Sequence, residues 1–355
     1  MASANPLVQR LAFGIPMKQK PSTKELMDLT QLSRATIDRA LNNRPGVHAR
    51  TRDAIEQALR TIDLRSAAVR KQGKRIADLK LVAQAGAAFT AQLSEQAALL
   101  ADEFEAAGRR LEVISCSGAT DADVAATVSS LADRTDGIAI IGTNTAPITS
   151  ALRAYIKSGK AVVALVSELA PDARHVYVGI DNRAAGQTAA FLMGRQLQAH
   201  PQPNVAVVVG TFAYICHEDR EIGFRSLLRQ RFPNVNLIEV IKGAESAQAT
   251  YEATLQFLKQ HGTLDGVYNV ASGNEGLAEA LRKHSLIGKT LFITHELNTV
   301  TEPLMKAETI DYLIAQSIPG LLRSAVDRLA AVIGGPQNLP PVHLPIELIC
   351  RYSLP

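Results

Sequence analysis

Tryptophan is absent from this chain of 355 residues, and only three cysteines occur. Cys116, Cys216 and Cys350 lie far apart and form no CxxC pair, which excludes a zinc cluster or a disulfide framework of closely spaced cysteines. No apolar run reaches the length of about eighteen residues that a membrane-spanning helix needs. Residues 1–21 mix Gln, Arg, Lys and Pro and hold no apolar stretch of signal-peptide length. We therefore expect a cytoplasmic protein with buried, reduced thiols and no membrane partner.

Sequence motifs of enzymes are also missing. There is no GxGxxG after a strand, no GxxxxGK[ST] loop and no GxSxG elbow. His217 and Glu218 are adjacent but lack the second histidine of a metal-binding pair. The sequence therefore predicts no cofactor, no metal and no enzymatic activity.

Charge is distributed unevenly along the chain. Residues 1–80 hold 16 Lys and Arg against 7 Asp and Glu, a net charge of +9, whereas the rest of the chain has a net charge of −5. A local positive patch is what binding to the phosphate backbone of nucleic acid requires.

Two helix starts occur within this basic segment. Ser22 and Glu25 have the spacing of a capping box, and Ser33 is placed to cap a second helix. The apolar stripes of the two helices are predicted to be Leu26, Leu29 and Leu32, and Ile37, Ala40 and Leu41. Arg34 and Arg39 lie outside the apolar stripe of the second helix, as in a helix that enters the major groove of DNA. A solvated helical hairpin would show the same pattern and remains the alternative.

The segment RATIDRALNNRPGV at 34–47, followed by TRDAIEQAL at 51–59, resembles the LacI/GalR family of transcriptional regulators. The chain departs from the family pattern at Gln31, Asp38 and Gly73, the last of these where members often carry a Leu that enters the minor groove. The resemblance implies a helix-turn-helix head whose DNA contacts come from Ser33, Arg34, Ala35, Thr36, Arg39, Asn42 and Arg50.

Beyond residue 76, short apolar and β-branched runs alternate with amphipathic segments. These runs lie near residues 80, 110, 137, 161, 204, 236, 266 and 290. Such runs predict strands of parallel sheets that are buried on both faces, with ligands bound beyond the carboxyl ends of the strands.

Polar side chains follow these runs, and the resemblance extends to them. The segment VGIDNRAAG at 178–186 resembles the crossover between the lobes of type I periplasmic-binding-protein folds. The segment EDREIGF at 218–224 resembles their RxxGF motif, which implies that Arg220 holds a sugar hydroxyl. The predicted effector-binding residues are Phe89, Asn144, Glu168, Arg220, Asn274, Glu296 and Gln316.

Structural alternatives remain open for several of these residues. Arg220 could pair with Asp219 or Glu221, and Phe89 could belong to the core. Thr143 and Asn144 could be helix caps. His295 could form a dyad with Glu296, although adjacent strand residues point to opposite faces.

The predicted fold class is α/β, with a small all-α helix-turn-helix head before a two-lobed body of parallel sheets. The predicted domains are a mobile extension at 1–21, the head at 22–64, a basic hinge at 65–76 and an effector-binding body at 77–355. Within the body, lobe 1 is predicted at about 77–180 plus 310–330, lobe 2 at about 181–309, and an extended C-terminal segment at 336–355.

The interpretation favoured by these features is a homodimeric repressor of carbohydrate genes that binds pseudo-palindromic operator DNA and a sugar or polyol effector. The first alternative is a solute-binding receptor of a sugar transport system. The second is a sugar-acting enzyme with Glu168 and Glu296 as paired carboxylates. An assay for turnover of common sugars would separate this enzyme from a binding protein.

Overall fold

The computed structural model describes residues 23–30, 32–41, 47–48, 50–55, 57–59, 75–243, 245–335 and 339–354. The chain divides into two compact units, residues 1–75 and 76–355. The predicted extension at 1–21, most of the hinge, and the residues Ser22, Gln31, Asn42 and Gly73 lie outside the described residues.

The first unit contains short helices around a small apolar core. Helix α1 spans Thr23–Thr30, α2 spans Arg34–Leu41, and residues 50–55 and 57–59 are also helical. The core is made of Leu26, Ile37, Ala40, Ile55, Ala58 and Leu59. Leu29, predicted to be buried, is 39% exposed, so the apolar stripe of α1 is narrower than its spacing indicated. The Ser33 hydroxyl accepts from the Thr36 amide at 3.2 Å and caps α2 as expected.

The second unit is built on two six-stranded sheets with helices on both faces. Its strands are β1 Ala77–Ala83, β2 Arg109–Ser115, β3 Gly137–Ile141, β4 Ala161–Leu165, β5 Val176–Gly179, β6 Asn204–Val209, β7 Asn236–Lys242, β8 Gly266–Asn269, β9 Leu291–His295, β10 Tyr312–Ala315, β11 Val342–His343 and β12 Glu347–Ile349. Its helices are α3 Ala87–Leu99, α4 Ala101–Ala106, α5 Asp121–Ser130, α6 Ala146–Lys157, α7 Asn182–Gln196, α8 Ile215–Arg231, α9 Ala247–His261, α10 Asn274–Lys283, α11 Thr301–Lys306 and α12 Ile318–Ile333. All eight predicted apolar runs form strands.

The strand orders are β11-β5-β4-β3-β1-β2 in the first sheet and β12-β10-β9-β8-β6-β7 in the second. Neighbouring strands are parallel except for β10 and β12. Strands β3 and β4 are buried along their whole length because helices cover both faces of the sheet, which explains their continuous apolar sequence.

The chain passes between the lobes three times, after β5, after β10 and after β11. Strand β10 pairs with β9, whereas α12 buries its apolar face against the first sheet. Residues 310–315 therefore belong to lobe 2, although they were predicted in lobe 1. The C-terminal segment adds β11 to the edge of one sheet and β12 to the edge of the other.

The three cysteines differ in their surroundings. Cys116 and Cys216 are buried, and burial raises the pKa of both thiols. Cys350 is half-exposed because it lies on the C-terminal segment at the sheet edge, so it is not the buried thiol that was predicted.

Candidate functional site

The two lobes of the second unit meet at the carboxyl ends of their strands. They are joined by hydrogen bonds that include Asn144 N–H to the Ala213 carbonyl at 2.7 Å, Tyr214 hydroxyl to the Gln84 carbonyl at 2.8 Å, Cys216 N–H to the Ser167 hydroxyl at 3.3 Å, and Gln92 amide to the Leu297 carbonyl at 2.9 Å. The cleft between the lobes is therefore closed.

Arg220 ties the first crossover to the end of β8. Its Nε donates to Asn182 Oδ1 at 2.8 Å and its Nη1 donates to the Val270 carbonyl at 2.9 Å. The side chain is buried. The alternative pairing with Asp219 or Glu221 is not what the structure shows, because those carboxylates pair with Arg183 and Arg225.

Four buried side-chain atoms in the described part of the chain have no hydrogen-bond partner. They are Gln92 Oε1, Glu245 Oε1, His295 Nδ1 and Gln316 Oε1. His295 ends β9, Gln316 follows β10, Glu245 follows β7 and Gln92 lies on α3 after β1. Unpartnered buried polar atoms are rare in native proteins, and each costs about 1–3 kcal/mol. All four lie on elements that open onto the cleft.

Glu296 and Gln316 form a pair at this edge of the second sheet. Gln316 Nε2 donates to Glu296 Oε1 at 2.9 Å. Burial raises the pKa of Glu296 to about 7, although the bond from Gln316 and the charge of Arg220 act in the opposite direction. The Glu296 carboxyl is therefore partly protonated near neutral pH.

His295 and Glu296 have different hydrogen-bond partners and form no dyad. The His295 Nε2 lies 2.7 Å from the Tyr268 hydroxyl. Burial, followed by the charge of Arg220, holds the pKa of His295 well below its usual range. The imidazole is therefore neutral, and its Nδ1 stays unpartnered.

Glu245 follows β7 and contacts Ser272, which follows β8. The Glu245 Oε2 accepts from the Ser272 hydroxyl at 2.6 Å and from the Ser272 amide at 3.2 Å. His217 Nδ1 lies 3.4 Å from the Glu245 Oε1 but also 3.1 Å from the Thr211 carbonyl. Burial lowers the pKa of His217, so this imidazole is also predominantly neutral near pH 7. The carboxylate packs against Gly210, where an added Cβ would meet its Oε1.

Strained backbone marks the same region. Five non-glycine residues of the described chain have positive φ, and three of them, Val166, Glu245 and Glu296, follow β4, β7 and β9 directly or within a few residues. A left-handed conformation costs about 1–2 kcal/mol for an L-residue with a Cβ and tends to persist where a site requires it.

The other predicted effector residues have different surroundings. Asn274 is buried, and its Oδ1 accepts from Asn269 Nδ2 at 2.8 Å and from the Thr294 hydroxyl at 2.9 Å. Glu168 is paired with Arg174, with Nε–Oε1 at 2.6 Å. Phe89 is half-buried and packs against the core of lobe 1, as its structural alternative predicted.

Asn144 is exposed, and its Oδ1 accepts from the Ala170 amide at 2.9 Å. The Thr143 hydroxyl donates to Asp121. Neither residue caps α6, whose N-cap is Thr145. The side chains of residues 143 and 144 therefore link neighbouring segments of lobe 1.

The residues predicted to contact DNA lie in the first unit, and the structure describes all of them except Asn42. Thr36 is half-buried, and the others are exposed: Ser33, Arg34, Ala35, Arg39 and Arg50. Exposure alone assigns no partner to them.

Sequence reasoning missed Gln92 and Glu245. Glu245 follows a predicted strand, as Glu296 does. The expectation that ligands bind beyond the carboxyl ends of strands could therefore have identified it. Gln92 lies on the turn of α3 after Phe89, and only its contact with Leu297, 205 residues away, places it at the cleft.

A family model described as a periplasmic binding protein domain matches residues 81–337. The chain therefore belongs to the periplasmic binding protein family. It is a family of binding proteins, which confirms the prediction that the chain is not an enzyme. No curated protein matches the chain in a sequence search.

Solved structures of sugar receptors share this fold. A solute-binding protein of an ABC transporter from Burkholderia graminis, in complex with D-arabinose, is 21% identical, with a TM-score of 0.71 over 79% of this chain and 97% of that chain. GanP, a glucose-galactose binding protein from Geobacillus stearothermophilus, has the same identity and TM-score over 79% and 99%. The periplasmic component of an ABC-type sugar transport system from Hahella chejuensis is 24% identical, with a TM-score of 0.69 over 77% and 99%.

These findings correct part of the sequence interpretation. The two-lobed α/β body is confirmed, whereas the helix-turn-helix head and the LacI/GalR assignment are not shown, since the family match begins at residue 81. The regulator function, its operator-DNA partner and homodimeric repressor assembly, and the cytoplasmic location are contradicted by the family match and by the transport receptors that share the fold.

The helices described in the first unit are not long and apolar enough to cross a membrane, and neither are those described in the second. The described residues also contain no group of three or more His, Cys, Asp or Glu placed to hold a metal ion.

Proposed function

We propose that the chain is a solute-binding receptor that holds a sugar or polyol between the two lobes of its second unit. The observation that carries this proposal is the set of four unpartnered polar atoms on Gln92, Glu245, His295 and Gln316. A molecule with several hydroxyl groups would give each of them a partner, because a hydroxyl both donates and accepts. The sugars named for the receptors of similar fold support the same ligand class.

The binding set we propose keeps Glu296, Gln316 and Arg220 from the sequence-based set and adds Gln92, Glu245 and His295. Asn274 has a structural role, because its side chain joins the ends of β8 and β9. The side chains of Glu168 and Asn144 are engaged within lobe 1 and are left out, and Phe89 stays a predicted effector-binding residue.

Isothermal titration calorimetry of the full chain with pentoses, hexoses and polyols tests the proposal. At least one neutral sugar or polyol should bind, and Gln316→Met should weaken it at least tenfold because a buried partner of the ligand is lost. Gln196→Met is the matched control, since that amide reaches the Tyr312 hydroxyl at the exposed surface of lobe 2.

The proposal fails if no sugar or polyol binds the folded chain. It also fails if Gln316→Met and Gln196→Met bind the best sugar equally well, because the unpartnered atoms would then not belong to a ligand site.

A further inference from the structure

The unpartnered atoms of the cleft are mostly hydrogen-bond acceptors. Gln92 Nε2 donates to the Leu297 carbonyl, which accepts only, so Gln92 Oε1 is left to accept. Gln316 Nε2 likewise donates to Glu296, which leaves Gln316 Oε1 to accept. Glu245 Oε1 is a carboxylate oxygen. Three of the four atoms therefore require a ligand that donates hydrogen bonds.

The charges of the cleft point in the same direction. Glu245 and Glu296 both reach it, and no Lys or Arg among the described residues forms an ion pair with either carboxyl group. Arg220 is the cation that acts on Glu296, and two of its N–H groups are already engaged by Asn182 and Val270. The Glu168 carboxylate and the Arg174 guanidinium neutralise each other.

Both carboxylates that reach the cleft sit on backbone with positive φ, 56° at Glu245 and 62° at Glu296. A glycine at either position would avoid that strain. Both positions carry a glutamate although the backbone conformation disfavours a side chain there, which is typical of residues that serve a site.

We propose that the cleft selects its ligand by charge: it accepts a sugar or polyol that is neutral or carries an amine, and it rejects sugar acids and sugar phosphates. An added anion would lie beside the Glu245 carboxylate, and Arg220, the cation of this cleft, already has two of its N–H groups engaged by Asn182 and Val270. An ammonium group would instead donate a charge-assisted hydrogen bond to Glu245 Oε1. This inference rests on the proposed function, because it concerns the same site.

The test compares three ligands that differ at one carbon: the neutral sugar that binds best, its amino-deoxy derivative and its acid. For galactose these are galactose, 6-amino-6-deoxygalactose and galacturonate, with galactose 6-phosphate as a second anion. Calorimetry of the full chain should show the amine binding at least as tightly as the neutral sugar, and both anions binding at least tenfold more weakly.

Glu245→Gln should reduce the amine-to-acid affinity ratio at least fivefold, because it keeps the shape of the side chain and removes its charge. Glu95→Gln is the matched control, since Glu95 is exposed on α3 and its loss should leave the ratio unchanged. Glu296→Gln serves as the second variant if circular dichroism shows that Glu245→Gln is not folded.

The outcomes separate the two proposals. If the acid binds within threefold of the neutral sugar, the charge selection is wrong while the sugar-receptor proposal stands. If none of the neutral, amine or acid ligands binds, the receptor proposal fails and the charge selection fails with it. An unchanged ratio in both glutamine variants overturns the assignment of selection to these two carboxylates.

Discussion

Glu296 shows how one carboxyl group balances burial against its local contacts. Burial favours the protonated form, whereas Gln316 and Arg220 favour the charged form, and Glu347 adds a weaker repulsion. Burial dominates, because its effect is the largest and the pKa rises to about 7. The group therefore titrates where most carboxylates are already ionised.

This shift predicts a pH dependence of stability. The folded chain keeps the Glu296 proton up to about pH 7, whereas the unfolded chain loses it near the usual carboxyl value of 4.5. Between these values the native state binds more protons, so this group lowers the free energy of unfolding as the pH rises. Glu296→Gln removes the titration, and the decrease between about pH 5 and about pH 8 should shrink by roughly 1–3 kcal/mol.

Urea unfolding of the wild type and Glu296→Gln at the two pH values measures this difference. Glu95→Gln is the control and should keep the wild-type slope. Parallel slopes for wild type and Glu296→Gln would show that the carboxyl titrates as an ordinary exposed glutamate.

Among the helices, α7 and α8 approach each other through two glycines. A Cβ on Gly186 would lie 2.0 Å from the Arg220 carbonyl oxygen, and one on Gly223 would lie 2.1 Å from the Arg183 carbonyl oxygen. Both obstacles are backbone atoms, so the helices could not adjust by turning a side chain. This close contact places Arg220 against Asn182.

Gly186→Ala should therefore destabilise the chain by about 1–3 kcal/mol, because one helix must move away from the other. Since Arg220 moves with α8, binding of the best sugar should weaken as well. Urea unfolding and calorimetry measure the two effects. Gly334→Ala is the control, because its added Cβ would meet its nearest neighbour at an ordinary 3.7 Å. Equal unfolding midpoints for the two variants would contradict the prediction.

Across the second unit as a whole, closure of the lobes depends on a few hydrogen bonds between distant residues. The Tyr214 hydroxyl donates to the Gln84 carbonyl, and Gln92 donates to Leu297. Each such bond contributes only about 1 kcal/mol net, so the open and closed arrangements differ little in free energy. A ligand that contacts both lobes then shifts the population towards the closed arrangement.

Tyr214→Phe should lower the population of the closed form about fivefold and raise the Kd of the best sugar by a similar factor. Small-angle X-ray scattering without sugar should give a larger radius of gyration than the wild type. Tyr251→Phe removes a hydroxyl that accepts from Lys283 within lobe 2 and should change neither quantity. A wild-type radius and Kd for Tyr214→Phe would show that this bond does not control closure.

Much of the body could be predicted from local sequence. The strand runs were found because strands buried on both faces are continuously apolar, as in β3 and β4. Strands β5 and β10 were not among those runs, although β8, which also has four residues, was. Polar residues after strands led to Glu296 and Gln316, but the same rule proposed Glu168, whose charge is satisfied by Arg174 six residues later.

The sequence alone determined that the body has parallel sheets and that polar groups follow their strands, because both features depend on neighbours in the chain. Only the tertiary structure decided that β10 belongs to lobe 2 and that four polar atoms lack partners, since burial and pairing depend on residues brought together by folding. The regulator interpretation was wrong for a related reason. The charge and the amphipathic pattern of a short basic helical segment depend on that segment alone. The family, in contrast, was shown by a match over most of the chain.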